Sequence, residues 1–331
     1  MSTLAAAPST TPSRPQLPAT FAEELRAKCV QEQRKIEQAR PAPEPAGEIS
    51  QADIASFSEH LRSSKRILAL CGAGMSAASG IPTFRGSGRF WREYGGEISS
   101  MKLFSQNPSL VWQNFNYRRH RALKAEPNAA HFALAELASK KADFFTIMQN
   151  IDGLSERANH PATNLQHFHG SLFDVKCTNA ACDYTETGNM TDPIVPALAQ
   201  PEEGDLADPK TPMREVAPED LPHCPECSSL LRPGVVMFGE FIPQSSFERV
   251  DEWATNGQID LMLVIGTSST VWPAAGYIQT ARTLGARIAV FNIERPNEDV
   301  PNQRLREQDW FFQGDAAETV PKVMKEAISG L

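Results

Sequence analysis

Apolar residues along the chain recur in two arrangements, one typical of helices and one typical of buried strands. Ser50 and Asp53 resemble a capping box at the start of a helix. Ile54, Phe57 and Leu61 then recur every three or four residues, which is the spacing of one helix face. This pattern predicts a helix that opens the folded part of the chain near Ser50.

Short, uninterrupted apolar runs follow, and runs of this length that end at glycine or polar residues predict buried strands. Strands that alternate with helices imply an α/β fold with a mostly parallel sheet covered on both faces. The predicted strands are Arg66–Cys71, Asp143–Met148, residues 260–265, residues 286–292 and Trp310–Gln313, with helices at residues 273–284 and 316–328.

Two regions depart from this alternation. Residues 173–237 hold four paired cysteines and many proline and acidic residues, which predicts an inserted module. Residues 1–48 are predicted to be a disordered tail and linker, because residues 1–20 are rich in Ala, Ser, Thr and Pro and residues 41–48 contain three prolines. The folded domain is expected over residues 49–331.

Composition narrows the class of protein. With 331 residues, 41% of them apolar and 22% charged, the chain has room for one large domain with a small one inserted. No apolar run approaches the roughly 20 residues of a membrane-spanning helix, so no membrane association is expected. The formal net charge of -8 argues against nucleic acid as the main partner, since phosphate binding needs a basic field, and favours a cationic protein tail instead.

A glycine turn follows the first predicted strand. Gly72, Ala73, Gly74 and Ala77 fit the pattern G-x-G-x-x-A, in which glycines let the backbone approach a pyrophosphate at the start of a helix. A tight strand-to-helix turn without any ligand gives the same pattern. The acidic residue that dehydrogenases carry about 20 residues later is missing, so we expect a dinucleotide to be held differently here.

Four of the six cysteines form two close pairs, Cys177-x4-Cys182 and Cys224-x2-Cys227, separated by 41 residues. In an intracellular chain of this size, such spacing indicates metal before disulfide. Four thiolates suit tetrahedral zinc and leave no open position for water, so the predicted zinc is structural. A disulfide or free thiols remain the alternative, as does His223 in place of one ligand.

Polar residues follow the second predicted strand. Gln149, Asn150 and Asp152 lie where a parallel sheet binds its ligands, and such groups are costly to bury without a partner. His169 follows another strand-like segment at residues 165–168. The chain has seven histidines, and the residues alone do not rank His169 above the others: His120, His160 and His223 look like packed or surface residues, while His131 and His167 stay open.

Taken together, these residues resemble one family, the sirtuins, which are NAD-dependent protein-lysine deacylases. The matching segments occur in family order and cover roughly residues 50–328. They are residues 72–76, 80–85, 149–152, 169–171, 235–240, 266–268 and 292–294, together with the four paired cysteines.

The resemblance implies a Rossmann-like parallel-sheet domain with an inserted small zinc-ribbon domain, and NAD and acyl-lysine meeting in the cleft between them. A cofactor loop and helical insert would span about residues 85–130, and the zinc module about residues 173–237. The acyl oxygen would attack C1′ of the nicotinamide ribose, and His169 would then act as the base that deprotonates a ribose hydroxyl. A histidine suits this role because its ordinary pKa lies near neutrality.

The resemblance also assigns roles to residues. Asn150 and Asp152 would hold the ribose and the nicotinamide carboxamide, and Phe84 would shield C1′ from water. The NAD-contacting residues would be Gly72, Ala73, Gly74, Ala77, Thr83, Phe84, Arg85, Gln149, Asn150, Asp152, Gly266, Thr267, Ser268, Asn292, Glu294 and Ala316. The substrate backbone would add as a strand at Val236, Phe238, Gly239 and Glu240.

Within the family, residues 112–119 and 230–233 resemble class III, the branch that removes succinyl, malonyl and glutaryl groups. That branch carries Tyr-x-x-Arg in its acyl pocket, and here the arginine is Arg118 but the tyrosine position is Phe115. Arg118 can still pair with a carboxylate. The lost hydroxyl removes a hydrogen bond worth up to roughly 3 kcal/mol to a charged acceptor. We therefore expect broad removal of acetyl, crotonyl and acidic acyl groups, unless Arg118 is a surface ion pair on a charged helix.

Two functions other than deacylation are compatible with parts of this sequence. Mono-ADP-ribosyl transfer would use the same NAD site, and a non-catalytic reader of acyl-lysine would not need Asn150, Asp152 and His169 intact. We expect an intracellular protein, since no secretory signal is visible. We expect it to be a monomer. The acid-free residues 1–20 and the resemblance to class III mildly favour mitochondria.

Overall fold

The computed structural model describes the chain over residues 47–83, 95–201, 203–300 and 302–331. The predicted tail and linker before residue 47 and the cofactor-loop residues Phe84 and Arg85 lie outside the described residues.

Nine strands and eight α-helices make up the described part of the chain. The strands are β1 (Arg66–Cys71), β2 (Asp143–Met148), β3 (Leu165–His167), β4 (Gly170–Cys177), β5 (Thr185–Glu186), β6 (Leu231–Val235), β7 (Leu261–Ile265), β8 (Arg287–Asn292) and β9 (Trp310–Gln313). The helices are α1 (Gln51–Ser63), α2 (Met101–Gln106), α3 (Pro108–Lys124), α4 (Ala129–Lys140), α5 (Leu154–Arg157), α6 (Gln244–Thr255), α7 (Gly276–Thr283) and α8 (Ala316–Ser329).

Six strands form one sheet in the order β3-β2-β1-β7-β8-β9, and every neighbouring pair is parallel. The chain moves from β1 outward to β2 and β3, and then returns to the other side of β1 at β7. The point where the strand order reverses therefore lies between β1 and β7. In doubly wound sheets, ligands bind in the crevice at the carboxyl ends of the strands at this point.

Both faces of this sheet are covered, which explains why its strands are continuous apolar runs. Ile67 and Ala69 of β1 point into one core with α1, α4 and α8, where Phe57 is fully buried. Leu68 and Leu70 point into the opposite core with α6 and α7. The predicted α/β class with a mostly parallel sheet is confirmed.

A second, antiparallel sheet has the order β5-β4-β6 and belongs to the inserted module. Its apolar face packs against α3 in a core that holds Trp112, Phe115 and Val175. The Trp112 indole N–H also donates to the Leu231 carbonyl at 2.9 Å. The sheet begins at Gly170, three residues before the predicted start of the module.

Some predicted boundaries were wrong by a few residues. The glycine turn leads into a 3-10 helix over Ala73–Ser79 instead of an α-helix, and Gly80 ends it with φ 81°. The helix predicted from residue 273 begins at Gly276, and the strand predicted from residue 260 begins at Leu261. No helix in the described ranges is long and apolar enough to cross a membrane.

Candidate active site

The glycine turn packs directly against the loop after β7. The Gly72 N–H donates to the Ile265 carbonyl at 2.9 Å, and the Gly74 N–H donates to the Gly266 carbonyl at 2.8 Å. A Cβ added to Gly74 would lie 2.8 Å from Gly266 Cα, a distance that real Cβ atoms do not reach. The two glycine segments therefore close the reversal point between β1 and β7 backbone against backbone.

Gln149 links three strand ends through its backbone and its side chain. Its N–H donates to the Cys71 carbonyl at 3.0 Å, and its side-chain oxygen accepts a hydrogen bond of 2.8 Å from the Thr267 hydroxyl. The Asn292 amide donates to the Thr267 carbonyl at 3.3 Å. The structure thus brings together the predicted cofactor residues from the ends of β1, β2, β7 and β8.

The remaining predicted cofactor residues within the described part lie along the same edge of the sheet. Ala73 and Ala77 belong to the 3-10 helix, Thr83 follows it, Ser268 follows β7, Glu294 follows β8, and Ala316 begins α8 after β9. These positions support one extended site along the carboxyl ends of the strands.

Asn150 is held by two hydrogen bonds from its side-chain amide. The amide nitrogen donates to the Gly72 carbonyl and to the Ser76 hydroxyl, both at 3.0 Å. Ser76 is fully buried and also lies 3.4 Å from His131 Nε2. The glycine turn therefore fixes Asn150 as well as the backbone around it.

Sequence reasoning missed Ser76 and left His131 unranked. His131 Nδ1 accepts the Asn128 N–H at 3.2 Å, so its proton is on Nε2 and faces Ser76. Burial lowers the pKa of His131 to about 4, although the charge of Glu156 opposes this. The available signal was the position of His131 three residues after Asn128, which marks a capping box.

Asp152 is buried beside this network, with 6% of its surface exposed. Burial raises the pKa of Asp152, and hydrogen bonds from the Leu154 N–H (3.0 Å) and the Ser76 hydroxyl oppose that rise. Ser76 accepts hydrogen bonds from Asn150 and His131, so its own proton is directed to Asp152. The three side chains around Ser76 thus have one consistent hydrogen-bond pattern.

His169 has the hydrogen bond that a catalytic base requires. Its Nδ1 lies 2.9 Å from the Gln149 carbonyl, which can only accept, so Nδ1 carries the proton and Nε2 carries the lone pair. Burial lowers the pKa of His169, and the hydrogen bond to Gln149 opposes this in part. The imidazole is therefore neutral near pH 7 and able to accept a proton at Nε2.

The other histidines have partners that explain them. His160 bonds Thr146 at 3.0 Å inside the core, and His120 pairs with Asp192 at 2.6 Å. His167 forms a 2.8 Å ion pair with Glu156. Burial alone would lower the pKa of His167, but its hydrogen bond to Glu156 and the charge of that carboxylate raise it. The ion pair with Glu156 opposes loss of a proton from His167, so the geometry favours His169 as the base.

The predicted substrate edge follows β6. The Val236 N–H donates to the His169 carbonyl at 2.9 Å, the Phe238 N–H to the Ser99 carbonyl at 2.9 Å, and the Glu240 N–H to the Met237 carbonyl at 3.0 Å. These three N–H groups are therefore used inside the chain, so the predicted pairing with a substrate strand would use other backbone groups of this segment. No described hydrogen bond uses the Val236 carbonyl or the Gly239 N–H.

Phe115 and Arg118 lie on α3 as the resemblance implied. Phe115 is 1% exposed, and the Arg118 guanidinium lies 5.3 Å from its ring centre. Burial lowers the pKa of Arg118 to about 10, while the charge of Asp152 raises it, so Arg118 remains a cation at pH 7. Its Nη1 is also 3.5 Å from the Ser99 hydroxyl. Arg118 is thus partly buried between Phe115 and Ser99.

The four paired cysteines meet in the inserted module, with all four sulfur atoms within 4.8 Å of one another. Cys177 and Cys227 are 3.4 Å apart, and Cys182 and Cys224 are 3.7 Å apart. Four sulfurs at about 2.3 Å from a tetrahedral zinc lie about 3.8 Å apart, so the cluster fits this metal and is too wide for a disulfide. His223 is not part of the cluster.

Part of the 41-residue segment between the two cysteine pairs, whose role the sequence left open, packs on α3. Asn116 donates to the Leu198 carbonyl at 2.8 Å, and His120 pairs with Asp192. Arg119, 1% exposed, donates to the carbonyls of Asn189 (2.7 Å) and Thr191 (3.0 Å). The insert therefore supports the helix that carries Phe115 and Arg118.

Comparison with known proteins agrees with this geometry. The model of the Sir2 family matches residues 72–273. A relative from Candida albicans named NAD-dependent protein deacylase is 38% identical over 304 residues, which cover 84% of this chain and 99% of that protein. The protein named NAD-dependent protein deacylase sirtuin-5, mitochondrial, from Canis lupus familiaris is 37% identical over 293 residues, covering 86% and 89%.

Among solved structures, a Sir2 homologue–NAD complex superposes with a TM-score of 0.69 at 31% identity, covering 87% of this chain and 98% of that one. The family model spans more than half of the chain, and relatives above 30% identity cover more than four fifths of it. This chain therefore belongs to the Sir2 family and has its Rossmann-like fold with an inserted cysteine module.

Proposed function

We propose that this chain removes acyl groups from protein lysines in a reaction that consumes NAD and releases nicotinamide and O-acyl-ADP-ribose. The observation that carries the proposal is the hydrogen bond from His169 Nδ1 to the Gln149 carbonyl, which leaves Nε2 able to accept a proton. Gln149 is followed at the end of β2 by Asn150 and Asp152. The names of the relatives as NAD-dependent protein deacylases support it.

Different residues of the chain would bind the dinucleotide, orient it and accept the proton. The glycine turn and the residues after β7 and β8 would hold the dinucleotide, which supplies the electrophilic ribose carbon. Asn150 and Asp152, fixed through Ser76, would orient the ribose and the carboxamide. His169 Nε2 would take the proton from a ribose hydroxyl, as its lowered pKa permits near pH 7.

Product analysis tests the reaction class. With NAD and an acyl-lysine peptide, mass spectrometry should find nicotinamide, free lysine peptide and O-acyl-ADP-ribose, and His169→Asn should abolish the last two. ADP-ribosylated protein in place of O-acyl-ADP-ribose would identify the mono-ADP-ribosyltransferase alternative. Unchanged turnover in His169→Asn would refute the assignment of the base.

The acyl pocket is proposed to accept acidic groups as well as acetyl and crotonyl groups. Arg118 keeps its positive charge while partly buried, and an acyl carboxylate could bind it by a two-pronged pair. Phe115 makes the neighbouring wall apolar and removes a hydroxyl from the pocket. Acidic acyl chains should therefore be turned over without the strong preference that a tyrosine would add.

An acyl-peptide panel tests this pocket. Arg118→Ala should lower kcat/KM for a succinyl-lysine peptide about tenfold or more and should spare the acetyl-lysine peptide. Lys124→Ala removes an exposed cation from the end of the same helix and serves as the control. Equal losses on both peptides, or no succinyl activity in the wild type, would refute the role of Arg118.

We further propose that the four cysteines bind one structural zinc ion. The closed sulfur cluster supports this, since it offers no position for a reacting water. Elemental analysis should find one zinc per chain, and a content near zero would refute the site. A mitochondrial location is proposed from the names of the relatives and is tested by cell fractionation.

A further inference from the structure

Arg232 and Glu240 form a two-pronged ion pair beside the substrate edge. Arg232 Nη1 lies 2.5 Å from Glu240 Oε1, and Nη2 lies 2.6 Å from Oε2. The Arg232 side chain is 9% exposed and the Glu240 side chain 25%. Parallel hydrogen bonds between a guanidinium and a carboxylate are directional as well as strong, so the pair fixes both position and orientation.

The pair closes the segment 236–240, which we call the substrate loop. Glu240 Oε2 also accepts the Met237 N–H at 2.7 Å, and Gly239 turns the chain with φ 95°. At its other end, the loop is tied to the catalytic residue through the Val236 N–H and the His169 carbonyl. The loop is therefore held between the strand that contains Arg232 and the backbone of His169.

The charges around the pair keep it ionised. Burial alone would raise the pKa of Glu240, but the hydrogen bonds from Arg232 and Met237 and the charge of Arg232 lower it. Lys176 is the register partner of Arg232 on β4 and faces the same carboxylate. Glu240 is thus a carboxylate at neutral pH with a cation on each of two sides. Its negative charge interacts with Arg232 and Lys176 of the same chain.

We propose that Arg232 is a positioning residue for substrate: through Glu240 it holds the substrate loop in the shape that presents an acyl-lysine strand to His169. This inference rests on the proposed function and adds a residue that does not itself touch substrate. The Val236 carbonyl and the Gly239 N–H, which no described hydrogen bond uses, would face the substrate backbone only while Glu240 keeps the turn closed.

Arg232→Lys tests the proposal, because lysine keeps the charge but cannot form the two-pronged pair. The expected result is a rise of about tenfold in KM for the acyl peptide, with KM for NAD within twofold of wild type and unchanged zinc content. Glu240→Gln should give the same pattern while preserving side-chain size. The double variant should be no worse than either single variant, since both remove one interaction.

Arg282→Lys is the matched control. Arg282 pairs with Asp309 at 3.1 Å in the Rossmann-like domain, with side-chain exposures of 4% and 1%. Loss of that buried pair should lower Tm and leave KM for the peptide unchanged. If Arg232→Lys and Glu240→Gln instead lower Tm and shift both KM values in parallel, their pair is merely structural and the proposal is wrong.

Direct binding separates this proposal from the proposed function. Fluorescence anisotropy with a labelled acetyl-lysine peptide should show about tenfold weaker binding to both variants, whether or not turnover occurs. Wild-type affinity in both variants would overturn the role of Arg232. Tight binding by the wild type without any NAD-dependent product would refute only the proposed reaction.

Discussion

His131 should make the folded domain less stable as the pH falls below 6.5. The ring is 2% exposed, and its Nδ1 accepts the Asn128 N–H at 3.2 Å. Protonation would place a second N–H against that donor inside the core, beside Ser76. Burial accordingly lowers the pKa of His131 to about 4, against the opposing charge of Glu156.

The direction in which stability changes with pH depends on whether the folded or the unfolded chain protonates His131 at the higher pH. The unfolded chain protonates this histidine near its ordinary pKa of about 6.5, while the folded chain resists until about pH 4. Stability is therefore lost between these two values as the pH falls, at up to about 1.4 kcal/mol per unit. Between pH 7 and pH 5, the loss from His131 comes to about 2 kcal/mol in the free energy of unfolding.

Urea unfolding of the wild type and of His131→Gln at pH 7, 6 and 5 measures this contribution. Glutamine can still bond Ser76 but cannot titrate in this range. Every other titrating group is common to both proteins, so the difference between their pH dependences isolates His131. Wild type should lose about 2 kcal/mol more than the variant over this range. Parallel curves within about 0.5 kcal/mol would refute the linkage, since the whole expected effect is four times larger.

Other changes have equally defined outcomes. Gly74→Ala should weaken NAD binding and cost roughly 1–3 kcal/mol of stability, because the new Cβ meets Gly266; calorimetry and unfolding measure both. The acid limb of the pH profile of kcat/KM should fall below the ordinary histidine range, since the pKa of His169 is lowered, and an acid limb above that range would contradict this. Phe115→Tyr should raise kcat/KM for succinyl over acetyl peptides about tenfold in the same panel. Cys224→Ser should remove zinc and lower Tm, whereas an unchanged metal content would contradict the cluster.

The sequence predicted the sheet well because its strands are buried on both faces. Arg66–Cys71, Asp143–Met148 and Trp310–Gln313 match the structure residue for residue, since a continuous apolar run is what such a strand requires. The segment after Gly72 was predicted less well. Its glycines pack against the backbone of Gly266, which lies 192 residues after Gly74, and no local pattern shows that contact.

The residues of the candidate site could be proposed from the sequence, but their geometry could not. Resemblance selected His169 from seven histidines, whereas the physical reason for the choice is a hydrogen bond to the backbone of Gln149. A backbone carbonyl carries no sequence signal, so only the fold could supply it. The sequence did not identify Ser76 and His131 as site residues for the same reason. Each of them bonds a residue that is distant along the chain.

His169 contacts the proposed NAD side of the site through its imidazole and the proposed substrate side through its backbone carbonyl. Its imidazole bonds Gln149 at the end of β2, and so takes its orientation from the sheet that would hold NAD. Its carbonyl accepts the Val236 N–H, and so ties its backbone to the substrate side. β4 runs from the next residue, Gly170, to Cys177, with Gly170 opposite Val235 and Cys177 opposite Leu231 on β6. The cysteine cluster thus lies at the far end of the β4–β6 pair, and the near end of that pair adjoins His169, the proposed base. A zinc ion in the cluster would therefore affect catalysis by fixing the pairing of the two strands, without taking part in the reaction.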